Sequence, residues 1–457
     1  MKKLLKVSLV LLFAFFNTGN SSQISSANHN ESEILTGFES LELTKIVEYK
    51  LLRNLDSVAE LYAMQKGFSG NILVAIDGFN IFEKSVKYSD PIKKSPLTTS
   101  SIFQLASVSK QFTAAAILLL KSDNRLELDD DLTKYIPELP YKNITIRHLL
   151  HHTAGLPNYM YLVDKYWSKE HHPDNDDVID LMAKYKLPVF FQPGSRFDYS
   201  NTGYVMLASV VERISGMSLN EFLQRRIFSP LGMKNTYVYS SADTNITRRQ
   251  TDGFLALKRG YSRISETKNN GPVGDKGVCS TAGDLFIWDQ ALYSGSPIPF
   301  DLIEEAFLPA KTKTGKEVAY GYGFRLRSAN AQPVIYHNGV WEGFRTNFHR
   351  YPTSRNTIIV LNNTSTRVNH ELVRQIEFVI NNQPPHDYTK MIINISLEEG
   401  LTAAIESMEE LKKTYTDASF NFRTIMNAAE FLEQSGKPIK AAELKTLVDL
   451  LTGNKGS

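Results

Sequence analysis

Cysteine is nearly absent: Cys279 is the single one in 457 residues. No intrachain disulfide can form, so the chain must hold together through its core. An excess of one charge sign is missing too. Lys and Arg total 51 against 49 Asp and Glu, a net charge of +2. That leaves no electrostatic footprint for nucleic acid, and none is expected as a partner. Beyond residue 16 there is no apolar run of the ~20 residues that a bilayer span needs. A His-Glu-x-x-His pattern is lacking as well. His148 and His152 have the spacing of a ligand pair, but no Glu lies between them and no third ligand is evident. No metal and no cofactor are therefore expected.

What is present reads as an exported globular protein. The chain is 42% hydrophobic and 22% charged, long enough for a large core and more than one domain. It opens MKKLLKVSLVLLFAFF: three lysines (Lys2, Lys3, Lys6), then a short apolar stretch. This predicts a signal peptide over residues 1–20 and a secreted or periplasmic protein with no stable membrane span after processing. Residues 21–41 read as a flexible lead-in. A catalytic domain is placed at 42–385, ending at Pro384-Pro385, with a charged helical extension at 386–457. Gly400 with Ala404, and Gly436 with Ala441, recur about one helical hairpin apart. That weak self-similarity is of tetratricopeptide type, which would offer a surface to a protein partner; the alternative is an unrelated helical tail.

Within residues 65–365, strand-like segments lie at both ends and helical patterns lie between. Gly70-NILVAIDGFNIFEKSVKY predicts a hairpin turning at Asp77-Gly78. Lys276-GVCS, Gly323-FRL, Pro333-VIYH, Glu342-GFRTNFHRY and Asn356-TIIVLNN read as later strands. The expected fold is α+β: an antiparallel sheet built from both chain ends, flanked by helices, with an all-helical inserted region.

The run FQLASVSKQFTAAAILLL, Phe103 to Leu120, predicts a buried helix with Lys110 near its start. A cation there opposes the helix dipole and loses water. Residues i and i+3 share a helix face, so Ser107 and Lys110 set a hydroxyl beside an amine. A serine hydroxyl is a poor nucleophile until a base takes its proton, and a lysine is such a base only when neutral. Burial and a positive helix end both favour the neutral amine. The alternative is an N-capping serine with a lysine that snorkels to water. Ser265-Glu-Thr-Lys268 repeats the spacing, but in a polar stretch without an apolar helix behind it.

Two further stretches bear on the choice. Tyr199-Ser200-Asn201 supplies a phenol able to exchange a proton and an amide able to hold a carbonyl and a lysine. In His337-Asn338-Gly339, the glycine removes the Cβ obstacle where a ligand would lie against a strand edge. The N–H groups of Ser107 and Val340 could then form an oxyanion hole. Cys279 reads as a small packed residue.

The three motifs, in this order and spacing, resemble the serine β-lactamase and penicillin-binding-protein superfamily. Tyr in the second motif and His in the third are similar to its class C β-lactamase, D-Ala-D-Ala carboxypeptidase and family VIII esterase branch. LLHHTAGLPN (149–158), FQPGSRFDYSN (191–201), STAGDLFIWDQAL (280–292) and YGYGF (320–324) fit the same resemblance, which covers roughly residues 45–365. It implies an acyl-enzyme hydrolase with Ser107 as nucleophile and Lys110 and Tyr199 as the proton-transfer pair. Asn201 would position substrate, and His337 would meet a substrate carboxylate or assist Tyr199. Gly339 and Val340 would line the substrate edge. His337 stands where Lys is usual and Val340 where a hydroxyl residue is often found. Those departures imply peptidase or esterase work rather than antibiotic hydrolysis. The rival class is a catalytically silent protein that binds cell-wall peptides or a partner in the same cleft.

Overall fold

Asp77 and Gly78 both take positive φ, 52° and 77°, the geometry of a tight hairpin turn. They join β1 (Gly70–Ile76) to β2 (Phe79–Val86). The computed structural model describes residues 51–452 apart from 246, 248, 330, 331, 382–388 and 415–419. The segments expected to be a signal peptide and a flexible lead-in, and Pro384-Pro385, lie outside the described residues. Spaced apolar positions predict an amphipathic helix over residues 42–66; residues 52–66 are helical (α1), and residues 42–50 lie outside the described residues.

The Ser107 segment departs from the continuous helix expected over Phe103–Leu120. Phe103–Gln104 form a short strand, β3, and Ala106–Ser109 a 3₁₀ turn. The α-helix proper, α2, runs Lys110–Ser122. Its interior is buried throughout from Lys110 to Leu120, as the all-round apolar pattern requires. The break arises because β3 pairs with another strand: Phe103 opposes Ser280 and Gln104 opposes Cys279.

Further along come α3 (Tyr159–Tyr166), α4 (Asn175–Tyr185) and α5 (Asn201–Ser215). Then follow β4 (Tyr237–Val238), β5 (Val278–Ser280) and α6 (Ala282–Ser294). Cys279 sits buried in β5, the middle of the small β3-β5-β4 sheet, against Ile102, Tyr237 and Tyr239. Besides three short two-stranded ribbons, the later strands are β6 (Arg325–Ala329), β7 (Gln332–Trp341), β8 (Phe344–Tyr351) and β9 (Asn356–Asn362).

The main sheet has the order β6-β7-β8-β9-β1-β2, with every neighbouring pair antiparallel. Its N-terminal hairpin closes on its C-terminal strand: Gly70 opposes Asn362 and Ala75 opposes Thr357. The helices between β2 and β6 fill the space between those ends and share one apolar core with the sheet. This is the α+β architecture expected, an antiparallel sheet with helices around it.

After α7 (Asn369–Ile380) come α8 (Thr389–Glu398), α9 (Leu401–Thr414), α10 (Phe422–Gln434) and α11 (Pro438–Thr452). Their apolar side chains form their own cluster, including Ile392, Ala404, Ile425, Ala441 and Leu444. Gly400 and Gly436 precede α9 and α11 with φ of 96° and 75°. Those glycines permit the reversal between paired helices, and Ala404 and Ala441 provide the close contact. The described residues from Leu52 onward belong to one compact unit.

Candidate active site

Three chain segments meet around Ser107. From Ile102 to Lys110 every residue is buried except Ser107 itself. Ala106, just before it, has φ of 50°, a strained value for a residue with a Cβ. That kink turns the chain from β3 into the 3₁₀ turn and leaves the Ser107 side chain at the opening. Thr346 Oγ1 donates to the Leu105 carbonyl at 2.7 Å, and Leu105 N–H donates to the Val278 carbonyl at 2.8 Å. These bonds hold the strained turn against two sheets.

Lys110 is fully buried. Its Nζ lies 3.2 Å from Ser107 Oγ, 2.8 Å from Asn201 Oδ1 and 2.7 Å from the Asp275 carbonyl. In a 3₁₀ turn, side chains at i and i+3 eclipse, so Ser107 and Lys110 align more directly than on an α-helix. Asn201 arrives as the first residue of α5, whose N-cap is Ser200. The rings of Tyr199 and Tyr204 stand 5.0 and 5.5 Å from Nζ.

Tyr199 touches the site by its ring, which also packs on His152 at 4.3 Å. Its hydroxyl is buried and has no hydrogen-bond partner among the described residues. Such a group is costly unless something else uses it. The His152 Nδ1 accepts from Ser200 N–H at 3.1 Å, while its buried Nε2 has no partner. Burial, then the Lys110 charge, keeps this imidazole well below the ordinary histidine range and so neutral.

The β7 strand supplies the third wall. Its partner β6 begins at Arg325, opposite Tyr336. Beyond Tyr336 no described strand pairs with β7 on that side, so residues 337–341 present an open edge. The Ser107 turn packs over Gly339 and Thr346, on the sheet face beside that edge. A Cβ on Gly339 would stand 2.2 Å from the Leu105 carbonyl and 3.0 Å from the Ala106 Cβ. Glycine is therefore required at 339 by the chain's own nucleophile turn, where the sequence pointed to a ligand. Val340 follows with its side chain 58% exposed.

His337 and Asn338 point to opposite faces, as strand alternation demands. Asn338 Oδ1 accepts from Asn347 Nδ2 at 2.7 Å, away from Ser107. His337 is fully buried. Its Nδ1 is 2.8 Å from the Asn338 carbonyl, which can only accept, so Nδ1 carries the hydrogen. Nε2 then accepts the Tyr320 hydroxyl at 3.0 Å. Burial first, then the Lys110 and Arg325 charges, depress its pKa well below the ordinary range. A neutral imidazole with both nitrogens engaged has nothing left for a substrate carboxylate. That corrects the expectation of a direct carboxylate contact.

A cation stands nearby that the sequence reading missed. The Arg325 guanidinium lies 5.0 Å from the Tyr199 ring centroid and 5.8 Å from that of Tyr320. It is partly exposed, and no carboxylate pairs with it among the described residues. Its only sequence signal was a lone charge at the start of a strand-like run. The Asp275 carbonyl left no signal at all, since any residue type carries one. The second Ser-x-x-Lys copy is not at the site: Lys268 Nζ donates to the Trp167 carbonyl at 2.8 Å.

Comparison with known proteins agrees with this geometry. The sequence profile of the Beta-lactamase family matches residues 56–378. Penicillin-binding protein 4* of Bacillus subtilis (strain 168) is 34% identical over 368 residues, 76% of this chain and 81% of its own length. A D-aminopeptidase of Gluconobacter oxydans (strain 621H) is 25% identical over 67% of this chain, which spans 58% of that relative. Among solved structures, a penicillin-binding protein from Bacillus halodurans superposes with a TM-score of 0.62. It is 25% identical and covers 71% of this chain and 98% of its own. On the family match and the similarity to the Bacillus subtilis protein, the chain belongs to the Beta-lactamase family and is a serine hydrolase of the penicillin-binding-protein fold.

Proposed function

We propose that this protein is an exported hydrolase that forms an acyl-enzyme on Ser107 with a small amide or ester. The observation that carries the reading is the set of contacts made by Lys110. Two of them, Asn201 Oδ1 and the Asp275 carbonyl, can only accept. Once deprotonated, the amine spends its two N–H groups on them and directs its lone pair at Ser107 Oγ. In the forward step that lone pair takes the Ser107 proton while Oγ bonds to the substrate carbonyl carbon. The Ser107 and Val340 N–H groups receive the oxyanion. Collapse breaks the bond to the amine or alcohol, which leaves with a proton delivered through Lys110 or the unpartnered Tyr199 hydroxyl. Water then attacks the ester, returns its proton to the same pair and releases the acid.

The substrate class we assign is an acyl compound with a carboxylate close to the scissile bond, such as a D-amino-acid peptide. Arg325, with no acidic partner among the described residues, is the cation placed to receive that carboxylate. The names of the similar penicillin-binding protein and D-aminopeptidase point the same way. Export rests on the basic-then-apolar start of the chain.

Labelling with a fluorescent penicillin or a fluorophosphonate, followed by peptide mapping, tests the reading. Attachment at Ser107 is expected; a folded protein that labels nowhere is the silent binder instead. On a panel of a D-Ala-D-Ala peptide, a p-nitrophenyl ester and nitrocefin, Arg325→Gln should raise KM for the peptide roughly 10-fold or more, the worth of a charged hydrogen bond. It should leave the uncharged ester nearly unchanged. An equal effect on both would remove Arg325 from carboxylate recognition.

A further inference from the structure

Behind Lys110 lies a second buried lysine that the reading above leaves unused. The Lys276 side chain is 4% exposed and that of its neighbour Asp275 is 1% exposed. Lys276 Nζ donates to the Tyr159 hydroxyl at 2.8 Å, to the Pro272 carbonyl at 2.9 Å and to Asp275 Oδ1 at 3.3 Å. The Tyr159 hydroxyl donates to Asp275 Oδ2 at 3.2 Å. Asp275 therefore has two functions: its carboxylate binds Lys276 and Tyr159, and its carbonyl accepts from Lys110 at 2.7 Å.

The segment is anchored on both sides. Gly274 and Gly277 take φ of 106° and 103°. A Cβ on Gly274 would sit 2.5 Å from the Tyr204 carbonyl. Thr113 Oγ1 donates to the Gly274 carbonyl at 2.7 Å. The Asp275 carbonyl cannot drift from Lys110 while these contacts hold.

A buried ion pair is a poor means of stabilising a fold, because desolvation consumes most of its attraction. Its placement against the amine at the nucleophile calls for another account. We propose, on the basis of the function proposed above, that Lys276 and Asp275 are a positioning pair for Lys110. Asp275 holds the amine in line with Ser107, and the balance of the pair's two charges sets the pH range in which that amine serves as base.

The groups that face the pair are few. Lys110 comes from α2, Tyr159 from α3 and Glu342 from the turn after β7; Asp164, also on α3, acts through Tyr159. Around Lys110 itself stand Ser107, Asn201, Tyr199, Tyr204, His152 and His337. The Lys276 ammonium is disfavoured chiefly by burial, is restored in part by Asp275 and is repelled by Lys110. That repulsion is mutual. Lys276→Met would leave a bare carboxylate beside Lys110, and Asp275→Asn would leave the Lys276 ammonium, to the extent that it keeps its proton without Asp275, facing Lys110 alone. At interior separations of several ångströms either change is worth on the order of one pH unit at Lys110.

Two measurements test this. The first is the pH dependence of Ser107 acylation by a penicillin or fluorophosphonate probe in Lys276→Met, Asp275→Asn and the double variant. The second does not need turnover: ¹³C-lysine NMR titration of Lys110 in the same variants carrying Ser107→Ala, with the resonance assigned by its loss in Lys110→Met. Lys276→Met should move both midpoints up by about one unit. Asp275→Asn should move both down, and the double variant should lie near the wild type. A merely structural pair would lower activity at every pH without displacing either midpoint; that result, or displacement in the same direction in both single variants, overturns the proposal. If Lys276→Met does not fold, Asp275→Asn and the double variant decide it. If folded wild-type protein never labels at Ser107 while the NMR midpoints move as stated, the acyl-enzyme reading fails and the positioning pair stands.

Discussion

Tyr199→Phe should stabilise this protein and disable it. The Tyr199 hydroxyl is buried without a partner, and an unpaired buried hydroxyl costs about 1–3 kcal/mol. Phe removes that oxygen and keeps the ring, and with it the packing on His152 at 4.3 Å and the faces presented to Lys110 and Arg325. The free enzyme should gain about 1 kcal/mol, which for a chain of 457 residues raises Tm by only about 1 °C. If the hydroxyl passes a proton during acylation, its loss lowers the rate by roughly 100- to 10,000-fold. That is about 3–5 kcal/mol of barrier, opposite in direction to the stability change. Differential scanning fluorimetry and stopped-flow acylation on the same preparation measure both. A variant with lower Tm would show that the hydroxyl has a structural partner. A variant that acylates within a few-fold of wild type would take Tyr199 out of proton transfer.

Ser107→Ala should abolish covalent labelling and turnover while Lys110 keeps its bonds to Asn201 and Asp275, so Tm should shift by no more than a few degrees. Lys268→Ala should label normally, because that lysine caps a distant carbonyl; loss of labelling there with Lys110→Ala still active would reverse the assignment. Removal of residues 387–457 should leave Ser107 acylation measurable, since the family match ends at residue 378 and the helices beyond form their own apolar cluster; a folded truncation that no longer reacts would contradict this. Acid should destabilise the fold from about pH 6.5 downward. Burial lowers His151 to about 4 and His349 to about 3, and holds His152 and His337 well below 6.5. In that window the unfolded chain binds more protons than the folded one, so the stability these groups confer is complete above 6.5 and lost as pH falls toward their folded values. His151 alone accounts for up to about 3 kcal/mol. Glu212, raised to about 7 by burial, opposes the trend, and burial also raises Glu83, Asp284, Asp289 and Glu342; against them stand six lowered imidazoles, His148 and His370 included. Urea midpoints that stay flat from pH 7 to pH 5 would refute the reasoning.

Much of the site was legible because its chemistry is local. Ser107 and Lys110 lie three residues apart, and Tyr199 and Asn201 two apart, so spacing alone puts each pair together on a turn or at a helix start. The sheet was legible for a similar reason: period-two patterns and the Asp77-Gly78 turn need only near neighbours. Gly339 was rightly singled out but for an incomplete reason, since the chain that needs its missing Cβ is 234 residues earlier, at Leu105.

Tertiary structure decided the rest. Lys110 meets Asn201 across 91 residues and the Asp275 carbonyl across 165. The second contact is to a backbone oxygen, which no residue type announces. His337 was expected to meet a substrate carboxylate or assist Tyr199, because a histidine on a strand does not reveal its partners; Tyr320 and the Asn338 carbonyl engage both nitrogens only once β7 is in its sheet. Arg325 and the Lys276–Asp275 pair carry no motif. The pair stands out only through its burial, which removes water from both charges, and Arg325 only through the Tyr199 and Tyr320 rings folded beside it. The sequence by itself determined which groups could react and in what order they occur. Only the packing of distant strands and turns decided their protonation, their partners and the direction each one faces.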